Sequence, residues 1–427
     1  MVIVKLLRAL LIIFVFLAAF FPVYINISAF AKGTVSPDGI QRFTPDRNDL
    51  ILEEYTHQDI LNLIEEIEEA IENDSTDRSH YEMLAMTCYY AGLYYKALVA
   101  TKKQLELHPK KGTDVEVIYS NLGLMYLNLD KLEEAKKALN KSLKLNPEDI
   151  FSHQHLLQYH IMKKQYKKAA LEMKILSELN TELDVYHNVY IFATYSMENN
   201  ELIELLKEAV KANPNHPVAH RKLAAAIRDD IRNIEENWSF MMEEFRKALE
   251  LDPKDIYTYI TIANAYLFRA LITKNKKYYD YSLKWLNKGS KMAPGHTDLA
   301  YAKGNLLHYM EQYDQAIENI KYAINKGKND DSIYEVLADI YNSKAYSLYE
   351  SGERLEEGLE IINNAIFIKP NDGIILSTKA EILYKMKRYE EAYEYIKKGI
   401  KLEPNRPEII QDFKNIKKAL KETMRLR

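Results

Sequence analysis

The sequence predicts an all-α solenoid of about nine antiparallel helix pairs stacked in series, with capping helices. Three observations carry this. First, Pro109, Pro147, Pro214, Pro253, Pro294, Pro370 and Pro404 each close an apolar, Lys/Glu-rich segment, and most intervals are 34 to 41 residues or about double that. A fixed beat of this length marks one supersecondary unit copied many times. Second, within each beat the apolar and small residues recur at helical spacing in two runs separated by a short turn. Third, one such unit cannot stand alone. About eight buried positions contribute roughly 1.5–3 kcal/mol each, whereas ordering the backbone costs roughly 1–2 kcal/mol per residue. Stacking on neighbours supplies the missing burial.

Taken in order, residues 1–31 differ in kind from the rest. Lys5 and Arg8 precede an uninterrupted apolar run from Leu10 to Tyr24, and Ala29-Phe30-Ala31 has the form of a cleavage site. The segment reads as a signal peptide or as an uncleaved membrane anchor, since the run is nearly long enough to span a bilayer. Either version places the rest of the chain outside the cytoplasm, exported or periplasmic, because the positive flank stays inside. Residues 32–47, with Gly33, Pro37, Gly39 and Pro45, read as a flexible linker. Residues 48–77 supply an N-terminal helix, residues 78–406 nine repeats, and residues 407–427 a final helix with Ile409, Ile410, Phe413, Ile416 and Leu420 on one face. The third and fourth repeats, 150–183 and 184–216, are the most degenerate. The fifth, sixth and eighth are lengthened between their two helices, by five, seven and eight residues.

The unit is clearest at 116–149. Tyr119, Leu122, Gly123 and Tyr126 fall at repeat positions 4, 7, 8 and 11, and Ala135, Leu139, Ser142 and Pro147 at 20, 24, 27 and 32. Small residues at 8 and 20 let two helices approach, large residues at 4, 11 and 24 fill the gaps, and proline at 32 ends the second helix. The pattern resembles the tetratricopeptide repeat family, whose W-x2-L-G-x2-Y…A-x3-F…P motif it follows with tyrosine in the tryptophan place. The resemblance covers about three quarters of the chain.

The resemblance implies a right-handed superhelix whose first helices line a groove that binds protein segments, mainly through positions 2, 5, 9, 12 and 13. Carried onto this sequence, the groove residues are Met86, Tyr89, Tyr90, Leu124, Asn128, Phe151, Met162, Arg221, Asn264, Phe268, Tyr301, Asn305 and Tyr309. Asn264 and Asn305 share position 9 in adjacent units and are expected to form a short ladder. Aromatics, Met and amides suit burial of an apolar peptide. The expected function is therefore a protein-interaction scaffold of the cell envelope. An envelope glycan or polymer, held by the Tyr/Asn groove, is the alternative.

Other chemistry finds little support. A net charge of −4, from 58 basic and 62 acidic residues, offers no basic stripe for nucleic acid. No G-x-S-x-G, G-x-x-x-x-G-K-[ST], H-E-x-x-H or C-x-x-C motif occurs, so no catalytic residue and no cofactor are expected. His216 and His220 have the spacing of a metal pair but lack a third ligand, and no metal site is expected. Cys88 is the single cysteine and falls at repeat position 11, a buried place for a small apolar residue.

Overall fold

The computed structural model describes residues 57–108, 114–180, 184–230 and 234–426. The signal or anchor segment, the linker and the first nine residues of the N-terminal helix lie outside the described residues. Among the described residues no helix is long and apolar enough to cross a membrane.

The described chain is all helix and turn, and it falls into two compact units divided between Asp252 and Pro253. The first holds α1 (His57–Asn73), α2 (Arg78–Tyr90), α3 (Tyr94–Glu106), α4 (Val115–Asn128), α5 (Leu132–Leu145) and α6 (Ile150–Met162). It continues with α7 (Tyr166–Leu179), α8 (Val185–Ser196), α9 (Asn199–Ala212), α10 (Pro217–Asp229) and α11 (Ile234–Leu251). The second holds α12 (Ile256–Thr273), α13 (Lys277–Met292), α14 (Thr297–Tyr309), α15 (Tyr313–Asn325), α16 (Asp331–Ser351), α17 (Leu355–Ile368), α18 (Gly373–Lys385), α19 (Tyr389–Leu402) and α20 (Pro407–Leu426). Within each unit the helices pair as hairpins, α2 with α3 through α18 with α19, and each hairpin packs on the next. The fourth is irregular. There α9 packs chiefly on α7 and α10, and its own partner α8 touches it only lightly. This is the repeat whose first-helix motif is missing from the sequence.

Close approach inside a hairpin rests on position 8. A β-carbon built on Gly123 would sit 2.4 Å from Leu139 Cδ2 and 2.5 Å from Leu139 Cγ. One on Gly304 would sit 2.7 Å from Ile320 Cδ1. Leu139 and Ile320 both occupy position 24, and both are fully buried. Five other hairpins place Ala85, Ala224, Ala263, Ala338 and Ala380 at position 8, all buried, whereas the third has Leu157 there and still pairs α6 with α7.

The turn between the helices is built alike in five hairpins. Position 15 has a left-handed backbone at Gly92, Asp130, Lys164, Glu311 and Lys387. The following N–H returns to the carbonyl of position 11, as in Lys131 to Tyr126 (2.9 Å), Gln165 to His160 (2.8 Å), Gln312 to Leu307 (2.9 Å) and Arg388 to Leu383 (2.9 Å). This 6→1 bond satisfies an end carbonyl of the first helix. Most first helices also begin under an acidic cap. Asp77, Asp149, Asp184, Asp255, Asp330 and Asp372 each accept a hydrogen bond from an N–H of the first turn. The cap satisfies an orphan donor at the helix start.

Position 4 reaches back across that start. Tyr259 Oη donates to the Pro253 carbonyl at 3.0 Å and Tyr81 Oη to the Ser75 carbonyl at 3.2 Å. In two hairpins histidine does the same work: His153 Nε2 to Pro147 O at 3.0 Å, and His220 Nε2 to Pro214 O at 2.8 Å. The other ring nitrogens face carboxylates on the second helices, His153 Nδ1 to the half-buried Glu172 at 2.7 Å and His220 Nδ1 to the buried Glu244 at 2.5 Å. Both partners of each ring accept only, so both nitrogens must donate, and only the imidazolium does that. Burial opposes the charge, but these hydrogen bonds and the carboxylate outweigh it, and both histidine pKa values are raised. Glu244 is lowered: burial pushes it up, and the bonds from His220 and Lys247 more than offset this.

Two outcomes are expected. Replacing Gly123 with valine should cost about 1–3 kcal/mol in denaturant unfolding, because the position 24 side chain has no room to retreat. For the buried pair, the raised histidine pKa means its stabilisation is complete below the unfolded value of about 6.5 and is lost as pH rises through the folded value. The lowered Glu244 pKa means its own share is lost only in acid. Relative to the His220→Gln/Glu244→Gln double variant, the native chain should therefore lose stability as pH rises above about 6.5, and parallel curves on the alkaline side would refute the assignment.

Candidate functional site

The candidate site is the face presented by the first helices of the hairpins, and it divides with the two units. In the first unit much of this face is committed to packing. Leu124 is 2% exposed and belongs to the cluster of Ile64, Ile67, Leu84 and Met125. Tyr89 is also buried, its ring 5.5 Å from Tyr90 and 5.7 Å from Tyr94. These two expected groove residues are thus corrected to core residues, because position 9 of α4 and position 12 of α2 meet neighbouring helices. Asn128 turns inward and donates to Leu124 O at 2.9 Å. Met86, Tyr90, Phe151 and Arg221 are half-buried, and Met162 is exposed.

A polar bridge joins the irregular α8 to α10. Lys222 Nζ donates to His187 Nδ1 at 2.6 Å and lies 4.9 Å from the Tyr190 ring centroid. Tyr190 Oη donates to Asp229 Oδ2 at 2.5 Å. Burial, then the Lys222 charge, lower the His187 pKa. Burial, then Asp229, push the Tyr190 phenol upward. The bridge adds to the apolar packing of Val185, Tyr186 and Val189 on α8, which share a core cluster with residues of α7, α9 and α10.

The metal reading of His216 and His220 does not survive. Both nitrogens of His220 are taken by Glu244 and Pro214, and His216 packs on the Tyr186 ring at 4.3 Å. Among the described residues no group of three or more histidine, cysteine or acidic side chains could hold an ion. His153, His155 and His160 serve three separate ends. His155 faces Ser120 Oγ at 3.2 Å, with burial lowering its pKa to about 4, and His160 pairs with Gln165 at 3.0 Å. Burial, the largest effect, raises the Cys88 thiol to about 11, which leaves it unreactive. A cavity of about 730 Å³ lies beside α9, lined also by Ile227 at the end of α10 and by Asn237 and Phe240 of α11. Its ionisable groups pair among themselves, Lys164 with Glu201 and Lys207 with Glu204 at 2.7 Å.

In the second unit the first-helix face is more open. Tyr257 on α12, Tyr309 on α14, Tyr346 on α16 and Tyr384 on α18 are all exposed. Asn264, Phe268, Tyr301 and Asn305 are half-buried beside them. The expected ladder is not formed: neither Asn264 nor Asn305 has a side-chain hydrogen bond among the described residues. Axes of packed helices lie about 8–10 Å apart, further than two short amides bridge. His308 Nε2 meets Ser343 Oγ at 2.9 Å, tying α14 to α16, and the ring stacks on Tyr309 at 5.6 Å. Sequence reasoning missed Tyr346, Tyr349 and Glu350. They ride on the lengthened end of α16, beyond the repeat positions used to find groove residues.

Comparison with known proteins follows the same lines. Residues 117–149 and 374–406 each match the tetratricopeptide repeat family. The chain is 23% identical over 399 residues to a TPR repeat-containing protein of Methanocaldococcus jannaschii, covering 80% of this chain and 66% of that one. It is 21% identical over 320 residues to a DnaJ homolog subfamily C member 7 homolog of Dictyostelium discoideum, covering 72% and 52%. It thus spans less than two thirds of the length of these curated relatives. Among solved structures it is similar to YrrB, a TPR protein described as having an unusual peptide-binding site, at 18% identity, with 50% of this chain and 99% of that one covered and a TM-score of 0.36. One matched segment forms α4 with α5 and the other α18 with α19, and hairpins of the same build flank both, so the chain carries tetratricopeptide repeats.

Proposed function

We propose that this chain is a non-catalytic scaffold that binds segments of partner proteins on the first-helix faces of its hairpins. One observation carries the reading. In the second unit four successive first helices each leave a tyrosine exposed on or beside the positions that line such a face, namely Tyr257, Tyr309, Tyr346 and Tyr384. Tyrosine offers a large, stiff apolar surface with a polar end, and is enriched where proteins meet. The half-buried amides Asn264 and Asn305 lie among these rings with donors and acceptors to offer an extended peptide backbone.

A photocrosslinking side chain in place of Tyr309 should capture partners from cell extract. The same group in place of Phe367, which is 90% exposed on the second helix α17, should not. Capture only from position 367 would move the working surface to the second helices.

We further propose that the repeats act outside the cytoplasm. The support is the positive, apolar and A-x-A series of residues 1–31, which lies outside the described residues. Deleting residues 1–31 should leave the protein in the cytoplasmic fraction, and unchanged fractionation would sink this part of the reading.

A further inference from the structure

The second unit carries a wall built from α16, α18 and α20, each first helix packed on the next. The eight extra residues of the eighth hairpin lengthen α16 to 21 residues, against 13 for α14 and α18. The added turns bring Tyr346, Tyr349 and Glu350 onto this wall. The Tyr346 and Tyr349 rings lie 5.6 Å apart, and Tyr346 and Tyr384 are 40% and 36% exposed. Tyr346 and Tyr384 thus remain partly open to water, and Tyr349 is half-buried.

The charge between the rings is of one sign. Glu381 on α18 stands close enough to feel both Asp412 on α20 and Glu350 on α16. Burial first, then Asp412 and Glu350, push the Glu381 carboxyl up to about 7. Burial, with Glu408 adding, raises Asp412 despite a hydrogen bond from Ser377. The nearest candidate cation is used elsewhere. Lys385 Nζ donates to the carbonyls of Tyr349 at 2.5 Å and Glu350 at 3.3 Å, closing the end of α16, and lies 4.7 Å from the Tyr349 ring centroid.

We propose that this aromatic wall docks a basic segment of a partner protein, an arginine or lysine side chain lying between Glu381 and Asp412 with its aliphatic stem on Tyr346 and Tyr384. The inference rests on the scaffold reading and names the chemistry of its partner. Charge complementarity selects the occupant. An acidic segment would meet three carboxylates, and a neutral polymer would leave them unanswered. A guanidinium or ammonium answers both features of the wall, pairing with carboxylates and stacking on aromatic faces. A basic occupant also replaces the proton that Glu381 otherwise takes up near neutrality, so affinity rises as pH passes upward through 7.

The test uses fluorescence anisotropy on the full chain, with a labelled ten-residue Gly/Ser peptide carrying three arginines and a matched peptide carrying three glutamates. The arginine probe should bind, and bind several-fold more tightly at pH 8 than at pH 6. Glu381→Gln combined with Asp412→Asn should weaken it at least tenfold, and Tyr346→Ala severalfold. Glu381→Gln should leave the melting temperature unchanged or higher, since it removes a repelling charge, which separates lost binding from lost folding. Equal binding by the double variant, equal binding of the glutamate probe, or no binding of the arginine probe would overturn the proposal. So would a dimer of the native chain that the double variant dissolves, since the exposed lysines of α20 on a second copy would then be the occupant. Crosslinking from position 309 that persists in the double variant would leave the scaffold reading standing if this wall fails.

Discussion

The fold depends on one steric constraint, the packing of position 8 on one helix of a hairpin against position 24 on the other. In most hairpins glycine or alanine at the first place and a large apolar side chain at the second bring the two helices close together. At Gly123 and Gly304 the room left for a β-carbon is already taken by Leu139 and Ile320. Everything else is arranged around that approach. The left-handed turn residue reverses the chain within a few residues, and the aspartate caps start the first helices cleanly. In the fourth hairpin, which has Ile191 at that place, α8 packs only lightly on α9, and the Lys222, His187, Tyr190 and Asp229 bridge ties it to α10.

Position 4 shows how a repeat keeps a function while changing its chemistry. Tyr81 and Tyr259 tie the first helix to the chain before it with a phenol. His153 and His220 make the same tie with an imidazole, and a second-helix glutamate balances the charge. In both hairpins that glutamate falls at position 23 once the five-residue insertion of the fifth repeat is allowed for. A histidine pair that invites a metal reading on spacing alone thus proves to be half structural tie and half aromatic packing.

The insertions carry a similar lesson. The extra residues of the eighth hairpin go into its first helix, 21 residues in α16 against 14 in α17, and the repeat resumes in register after the turn. They add surface to one wall of the second unit. The side chains they deliver are aromatic and acidic, and the lysine nearby closes a helix end rather than answering the carboxylates. Length variation that looks like drift in a sequence becomes a change in the chemistry of a surface.

The sequence by itself determined the helical class, the hairpin register, the spacing of the prolines and the small-against-large pairing. All of these are local periodicities or contacts repeated at a fixed separation along one chain. Only the tertiary structure decided which groove positions stay open. Leu124 and Tyr89 share repeat positions with residues expected on an open face, yet neighbouring helices bury them. It also decided which ring nitrogens are engaged, why the fourth hairpin departs from the rest, and which carboxylates of α16, α18 and α20 meet. Those outcomes depend on distances between elements far apart in sequence, and a one-dimensional pattern holds no measure of them.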